Sequence, residues 1–220
     1  MISQAVQDYL KKIYKLQTQQ NDTVSTTDIS KELGVSSASV TGMLKRLAAM
    51  AFVEYSSYKG VKLTAAGEKI ALEIIRHHRL LETYLKELLN YPLDKIHDEA
   101  CRLEHVISEE FADKITEMLG NPTHDPHGHP IPSKDGKITE SKETPLSDCA
   151  SGINVVIRRL NDEDSKLLGY LEKIGLIPNV KFEILDKAPF NGPITIKQMG
   201  DEKILGHEVA SSIFVEIENN

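Results

Sequence analysis

The sequence predicts a mainly α protein with a small β component. It should comprise an N-terminal winged helix-turn-helix, a helical middle and a C-terminal SH3-like β-barrel. Three patterns carry this. Residues 26–64 read as helix, tight turn, helix and two short strands, the order of a winged helix. Residues 65–119 hold long stretches with apolar positions at helical spacing. After residue 150 the pattern changes to short apolar–polar alternations separated by Gly, Pro, Asn and Asp. The expected domains are 1–72, 73–140, a linker at 141–149, and 150–220.

The elements follow in chain order. Residues 4–19 predict a helix with Val6, Leu10, Ile13, Tyr14 and Leu16 on one face. Thr26 or Thr27 is expected to cap a second helix, which holds Ile29 and Leu33 and ends at Gly34. Ser36 or Ser37 should cap a third, with Val40, Leu44 and Leu47 as its buried stripe. FVEYS and KGVKLT predict the wing. A helix from Ala65 to about Asn90 and another from about Leu93 to Leu119 are expected to pack on each other or on a second subunit. Residues 120–148 hold five of the nine prolines and read as an extended linker. Strands are expected around GINVVIRRL, KFEIL, PITIK, KILGHEV and IFVEI, with one helix at DSKLLGYLEKIG.

Composition narrows the function. With 40% apolar and 27% charged residues, the chain is expected to be soluble and globular. No apolar run approaches the roughly 20 residues that span a bilayer, and the N-terminus lacks the apolar core of a signal peptide. Cys101 and Cys149 are too few for a disulfide framework, so a reducing cytoplasm is the expected setting. The net charge of −7 hides an asymmetry. Residues 1–70 carry nine Lys and Arg against six acids, or +3, which leaves −10 on the remaining 150. A basic head on an acidic body suits DNA binding.

On the second helix of the helix-turn-helix, Ser36, Ser37, Ala38, Ser39 and Thr41 are small residues suited to phosphate, backbone and thymine-methyl contacts. None is an Arg or Asn able to grip a base edge with two bonds, so DNA shape should carry part of the sequence reading. Thr26, Lys45, Arg46, Lys59 and Lys62 are candidates for the backbone. The alternative is a winged helix used for protein contacts only.

HDEACRLEH, residues 97–105, concentrates metal-binding chemistry. On one continuous helix His97, Cys101, Glu104 and His105 would span little more than a quarter-turn and point the same way. Thiolate, carboxylate and imidazole all suit a borderline divalent metal. His78 and Glu82 form a second i, i+4 pair on the preceding helix, and seven of the eight histidines lie between residues 77 and 129. His77 points away from His78 and is expected at the surface or behind a ligand. His124 and His129 are expected to bind metal only adventitiously, Cys149 to be a plain thiol, and Lys11, Lys12 and Lys15 to form a solvated face.

These stretches resemble the diphtheria toxin repressor family of metal-dependent transcriptional repressors, which includes iron-dependent regulators and manganese transport regulators. The resemblance runs through QDYLKKIYKL, YKGVKLTAAGEKIA, RHHRLLETYL, HDEACRLEHVISEE and DPHGHPIP. It implies that the helical middle dimerises and that the C-terminal domain is SH3-like (FeoA-like). It also implies two metal sites. The first matches Asp8, Cys101, Glu104 and His105; the second matches His78, Glu82 and His97. Asp164 is the implied ligand from the barrel, and Asp125 and His127 are implied by the DPHG stretch of manganese-type members. The first site is a hybrid. It has the Asp of manganese-type members at position 8 and the Cys of iron-type members at position 101, and Leu167 stands where iron-type members carry a polar ligand.

The function implied is a non-enzymatic, homodimeric repressor. Mn(II) or Fe(II), with Mn(II) slightly favoured, would activate it to bind palindromic operators of metal-uptake genes. Co(II), Ni(II) and Zn(II) are possible occupants in vitro. A metal joining Asp8 to Cys101, Glu104 and His105 would tie the DNA-binding head to the dimer core, and the metal-free head would be mobile. The rivals are a winged-helix repressor answering to a small organic ligand, a passive metal buffer and a metallo-hydrolase. The last lacks an HExxH stretch.

Overall fold

A computed structural model describes residues 2–20, 23–139 and 142–218. The chain divides into two compact units. One comprises Met1–His78, Leu103–Ser108 and Pro132–Lys137; the other comprises Arg79–Arg102, Glu109–Ile131 and Ile138–Asn220.

The first unit is built on α1 (Gln4–Gln20), α2 (Thr26–Leu33), α3 (Ser37–Ala49), β1 (Val53–Ser56), β2 (Gly60–Leu63) and the first part of α4 (Ala65–Glu87). Val6, Leu10 and Ile13 of α1, Ile29 of α2 and Val40, Leu44 and Leu47 of α3 are fully buried in one core with Val24, Val53 and Val61. The expected stripes are therefore the buried ones. The cap of α2 differs from expectation: Ser25, not Thr26 or Thr27, accepts the Asp28 N–H. Ser36 caps α3 by accepting from Ser39, and Gly34 closes α2 at φ 64°. β1 and β2 pair antiparallel from Val53↔Leu63 to Ser56↔Gly60, and an isolated antiparallel bridge joins Val24 to Val61. Gly60, at φ 85°, is required there, because a Cβ would lie 2.5 Å from the Val24 carbonyl oxygen.

The expected helix from Leu93 to Leu119 is two helices, α5 (Ile96–Leu103) and α6 (Glu109–Met118). The chain turns after Leu103, whose carbonyl accepts the Val106 N–H. It restarts past Ser108 with Glu109 and Glu110 in the first turn, where carboxylates favour a helix N-terminus. Glu104 and His105 thus lie in the break rather than on a helix face.

The second unit holds α5, α6 and a six-stranded antiparallel sheet. Its strands are β3 (Thr144–Pro145), β4 (Ile153–Leu160), β5 (Lys181–Lys187), β6 (Ile194–Gln198), β7 (Asp201–Leu205) and β8 (Ile213–Ile217), in the order β3-β8-β4-β5-β6-β7. Register shifts at Ile157/Arg159 and Ile184/Asp186 bend the strands. α7 (Ser165–Lys173) and α8 (His207–Ser211) complete the domain, so KILGHEV is a strand followed by a helical turn. Its core is aliphatic, with Leu146, Val155, Ile157, Leu160, Leu171, Ile184, Ile194, Ile196 and Ile213 buried. Of the stretch expected as linker, Thr144–Pro145 pair with β8, and Asp125, His127 and Ile131 are buried. Apolar side chains and turn hydrogen bonds order it more than its prolines suggest.

Candidate metal centres and nucleic-acid face

In the first unit, α1 and the turn after α5 bring together Asp8, Glu104 and His105, whose ligand atoms all lie within 4.8 Å of one another. His105 Nε2 is 3.0 Å from Asp8 Oδ1 and 3.3 Å from Glu104 Oε1. Its Nδ1 lies 2.9 Å from Gln7 Oε1. An amide oxygen only accepts, so Nδ1 carries a proton toward Gln7, and Nε2 faces two carboxylates. A divalent cation can take the place of a proton between an imidazole nitrogen and carboxylates, and the mixed N and O donor set suits such a metal.

Glu104 is 2% exposed and heavily engaged. His78 Nδ1 lies 2.5 Å from Oε2, and the Lys11 ammonium donates to Oε1 at 2.9 Å and to Oε2 at 2.7 Å. Burial pushes its pKa up, but the hydrogen bond from His78 and the charges of Lys11 and His78 hold it below the usual carboxylate value. His78 stands against Glu104, within its own unit. One expectation changes here. Lys11 is not on a solvated face; Lys12, its neighbour, pairs with Glu32 at 2.7 Å.

In the second unit, Glu82 of α4 is fully buried. Its Oε1 lies 3.2 Å from His97 Nδ1 and its Oε2 3.7 Å from His127 Nδ1. Cys101 belongs to this unit, with its Sγ 3.7 Å from His97 Nε2. α5 ends at Leu103, so Glu104 and His105 lie in the turn that follows, and His97 and Cys101 stay four residues apart on the helix.

The loop over DPHGH is shaped by Asp125. Its Oδ1 accepts the N–H groups of His127 and His129, both at 2.9 Å, and its carbonyl accepts from Gly128. Gly128, at φ 94°, presses on β4, where a Cβ would come within 1.9 Å of the Arg158 carbonyl oxygen. The His127 carbonyl accepts from Leu160. The loop therefore holds Asp125 Oδ2, His127 Nδ1 and His129 Nδ1 buried without hydrogen-bond partners among the described residues. Asp125, His127 and His129 place a ligand atom each within 4.8 Å of the others. His127 Nε2 lies 3.4 Å from the Leu93 carbonyl oxygen, to which it donates, so its Nδ1 is the free donor atom for a cation. Burial lowers the His127 pKa, but Glu82, Asp125 and Asp162 raise it, and the carboxylates prevail.

Asp164 caps α7, its Oδ1 accepting from Lys166 at 2.8 Å and from Leu167 at 3.3 Å. The barrel carboxylate whose charge reaches His127 is Asp162, two residues earlier. Sequence reasoning missed Asp162 and Gln7 and gave His129 only an adventitious role. For His129 a signal existed: an Asp at i with histidines at i+2 and i+4 is what an Asx-type turn folds together.

On α3, Ser36, Ser37, Ala38 and Ser39 are exposed, as are Lys45, Arg46, Lys59 and Lys62, while Thr26 and Thr41 are half-buried. The Thr41 hydroxyl donates to the Ser37 carbonyl. The exposed end of α3 is thus small and hydroxyl-rich, with cations further along it and on the wing. No helix among the described residues is long and apolar enough to cross a membrane.

Three family models match. "Iron dependent repressor, N-terminal DNA binding domain" covers residues 1–61, and "Iron dependent repressor, metal binding and dimerisation domain" covers residues 64–133. "FeoA domain" covers residues 144–217. The chain is 30% identical over 220 residues to the iron-dependent repressor IdeR of Mycobacterium leprae, covering 94% of this chain and 95% of that protein. It is 28% identical over 222 residues to the diphtheria toxin repressor of Corynebacterium diphtheriae, with the same coverage of 94% and 95%. Among solved structures, a manganese-dependent transcriptional repressor in complex with manganese matches with a TM-score of 0.90 at 35% identity, over 97% of this chain and 100% of that one. The fold, the three matched domains and these full-length relatives agree: the chain belongs to the diphtheria toxin repressor family of metal-dependent transcriptional repressors.

Proposed function

We propose that this chain is a homodimeric repressor that binds palindromic operator DNA when Mn(II) or Fe(II) fills its metal sites, and that it controls metal-uptake genes. The observation that carries the reading is the meeting of Asp8, on the first helix of the DNA-binding domain, with Glu104 and His105. When bound there, a divalent ion would draw its ligand atoms from Asp8, Glu104 and His105. Asp8 then fixes α1, and with it the core that orients α3. Gln7 holds His105 in the tautomer that presents Nε2. The cytoplasm is the proposed location.

A second site is assigned to Glu82, His97, Asp125 and His127. Asp162 is the barrel carboxylate in place of Asp164, and His129 stands beside it. The orphaned buried atoms of the DPHGH loop support this. The carboxylate at position 8 and the oxygen-rich second group favour a hard ion, hence Mn(II) or Fe(II) ahead of softer metals. The manganese-bound relative and the iron-dependent one carry these same two ions in their names.

The stoichiometry is tested by anaerobic titration of the full chain with Mn(II), followed by calorimetry. Two ions per chain are expected, falling to one in Asp8→Ala and to one in Glu82→Gln with His127→Gln. Two ions retained in both variants would refute the assignment.

A further inference from the structure

Lys11 brings to the first cluster a chemistry opposite to that of a ligand. It lies three residues after Asp8 on α1, so the two side chains share a helix face. Its ammonium donates to both oxygens of Glu104, at 2.9 and 2.7 Å, while Glu104 is 2% exposed. Oε2 also meets His78, and Oε1 also faces His105. A carboxylate has about four lone-pair positions, and these neighbours use most of them. An ammonium is a compact point charge that sits on a carboxylate as a small cation does.

We propose that Lys11 is a tethered competitor cation. In the metal-free protein it occupies Glu104. Metal entry displaces it, and this competition sets the metal concentration at which the repressor responds. The inference rests on the assignment of Asp8, Glu104 and His105 as the first metal site.

Two things follow. Asp8 and Glu104 carry two negative charges, and Lys11 cancels one, so an incoming divalent ion meets a weaker field than the carboxylates alone would present. The metal-free protein is also not a cluster of repelling acids, because Lys11 ties α1 to Glu104 without metal. The device is one of threshold: the stronger the ammonium's hold on Glu104, the more metal is needed.

The test uses the full-length protein without DNA. Mn(II) affinity is read by competition with a fluorescent chelator for the native chain and for Lys11→Met, Lys11→Gln, Lys11→Arg and Asp8→Ala. Lys11→Met and Lys11→Gln are expected to bind Mn(II) about tenfold more tightly, since a like charge a few ångströms from the ion is removed. Lys11→Arg should stay within about threefold of the native chain. Independently of any variant, amine-reactive labelling of the native chain, mapped by mass spectrometry, should show Lys11 becoming more reactive when Mn(II) is added. Unchanged or weaker Mn(II) binding in Lys11→Met and Lys11→Gln, with no rise in Lys11 labelling, would overturn the inference and leave the site assignment standing. Native-chain binding that Asp8→Ala does not weaken would remove the first site, and the competition with it.

Discussion

His105 and His127 show the same device at the scale of one residue. Each ring commits one nitrogen to a neutral acceptor, Gln7 for His105 and the Leu93 carbonyl for His127, and turns the other toward carboxylates. The committed nitrogen fixes the tautomer, so the partner matters nearly as much as the ligand. Gln7→Ala should therefore weaken Mn(II) binding at the first site by about 10- to 100-fold while leaving the second unchanged, as measured by chelator competition. His127 also carries a pH dependence. Its pKa in the folded, metal-free protein is raised above 6.5, chiefly because the pull of Glu82, Asp125 and Asp162 outweighs burial. A raised folded pKa means that protonated His127 stabilises the fold fully below about 6.5, and this stability is lost as pH rises through the folded value. In chelator, the melting temperature of the native chain relative to His127→Gln should fall as pH climbs from 6 to 9. A constant difference would show that the charge of His127 is not coupled to folding.

Elements decide which of these residues meet. HDEACRLEH read as one helix puts four candidate ligands on one face, whereas α5 ends at Leu103, and Glu104 and His105 lie in the turn that follows and stand against Asp8. The ligand types were legible from the sequence because they are rare together. The helix break among them was not, because it depends on the turn at Leu103 and the acidic restart at Glu109, which periodicity alone does not register. Likewise the winged helix was legible down to its buried stripe, while Asp164 and Asp162 could not be told apart from a pattern that fixes position only to within a residue or two. The DPHGH loop makes an element-level prediction. Gly128→Ala places a Cβ against the Arg158 carbonyl at a positive φ, so it should destabilise the metal-free protein by about 2–4 kcal/mol in urea unfolding. It should also weaken the second metal site, which that loop shapes. Glu172 of α7 accepts from Lys86 and, at 3.0 Å, from the Leu93 N–H. Burial raises its pKa, but those bonds and the charges of Lys86 and His127 hold it low. Its contribution is therefore present above about 4.5 and lost as pH falls through the lower folded value. Glu172→Ala should cost about 1 kcal/mol at pH 7 and less at pH 3.

At the scale of the molecule, the charge asymmetry of the sequence acquires a use. The basic head presents an exposed hydroxyl-rich end of α3 with Lys45 and Arg46 behind it, and most of the carboxylates proposed to hold metal, Asp8 apart, belong to the acidic remainder. Phosphate contacts make such binding salt-dependent. Lys45→Ala with Arg46→Ala should weaken DNA binding evenly across sequences and flatten the salt dependence by about two ions, without altering metal affinity. The central claim is that metal at Asp8, Glu104 and His105 is what licenses DNA binding. The most direct measurement is fluorescence anisotropy on a palindromic DNA from the protein's own promoter region. The native chain and Asp8→Ala would be titrated in chelator, in Mn(II) and in anaerobic Fe(II), at one fixed salt concentration. Tight binding by the native chain only with metal, lost in Asp8→Ala, is the result predicted. Equal binding in chelator, or metal-stimulated binding that survives Asp8→Ala, would contradict it.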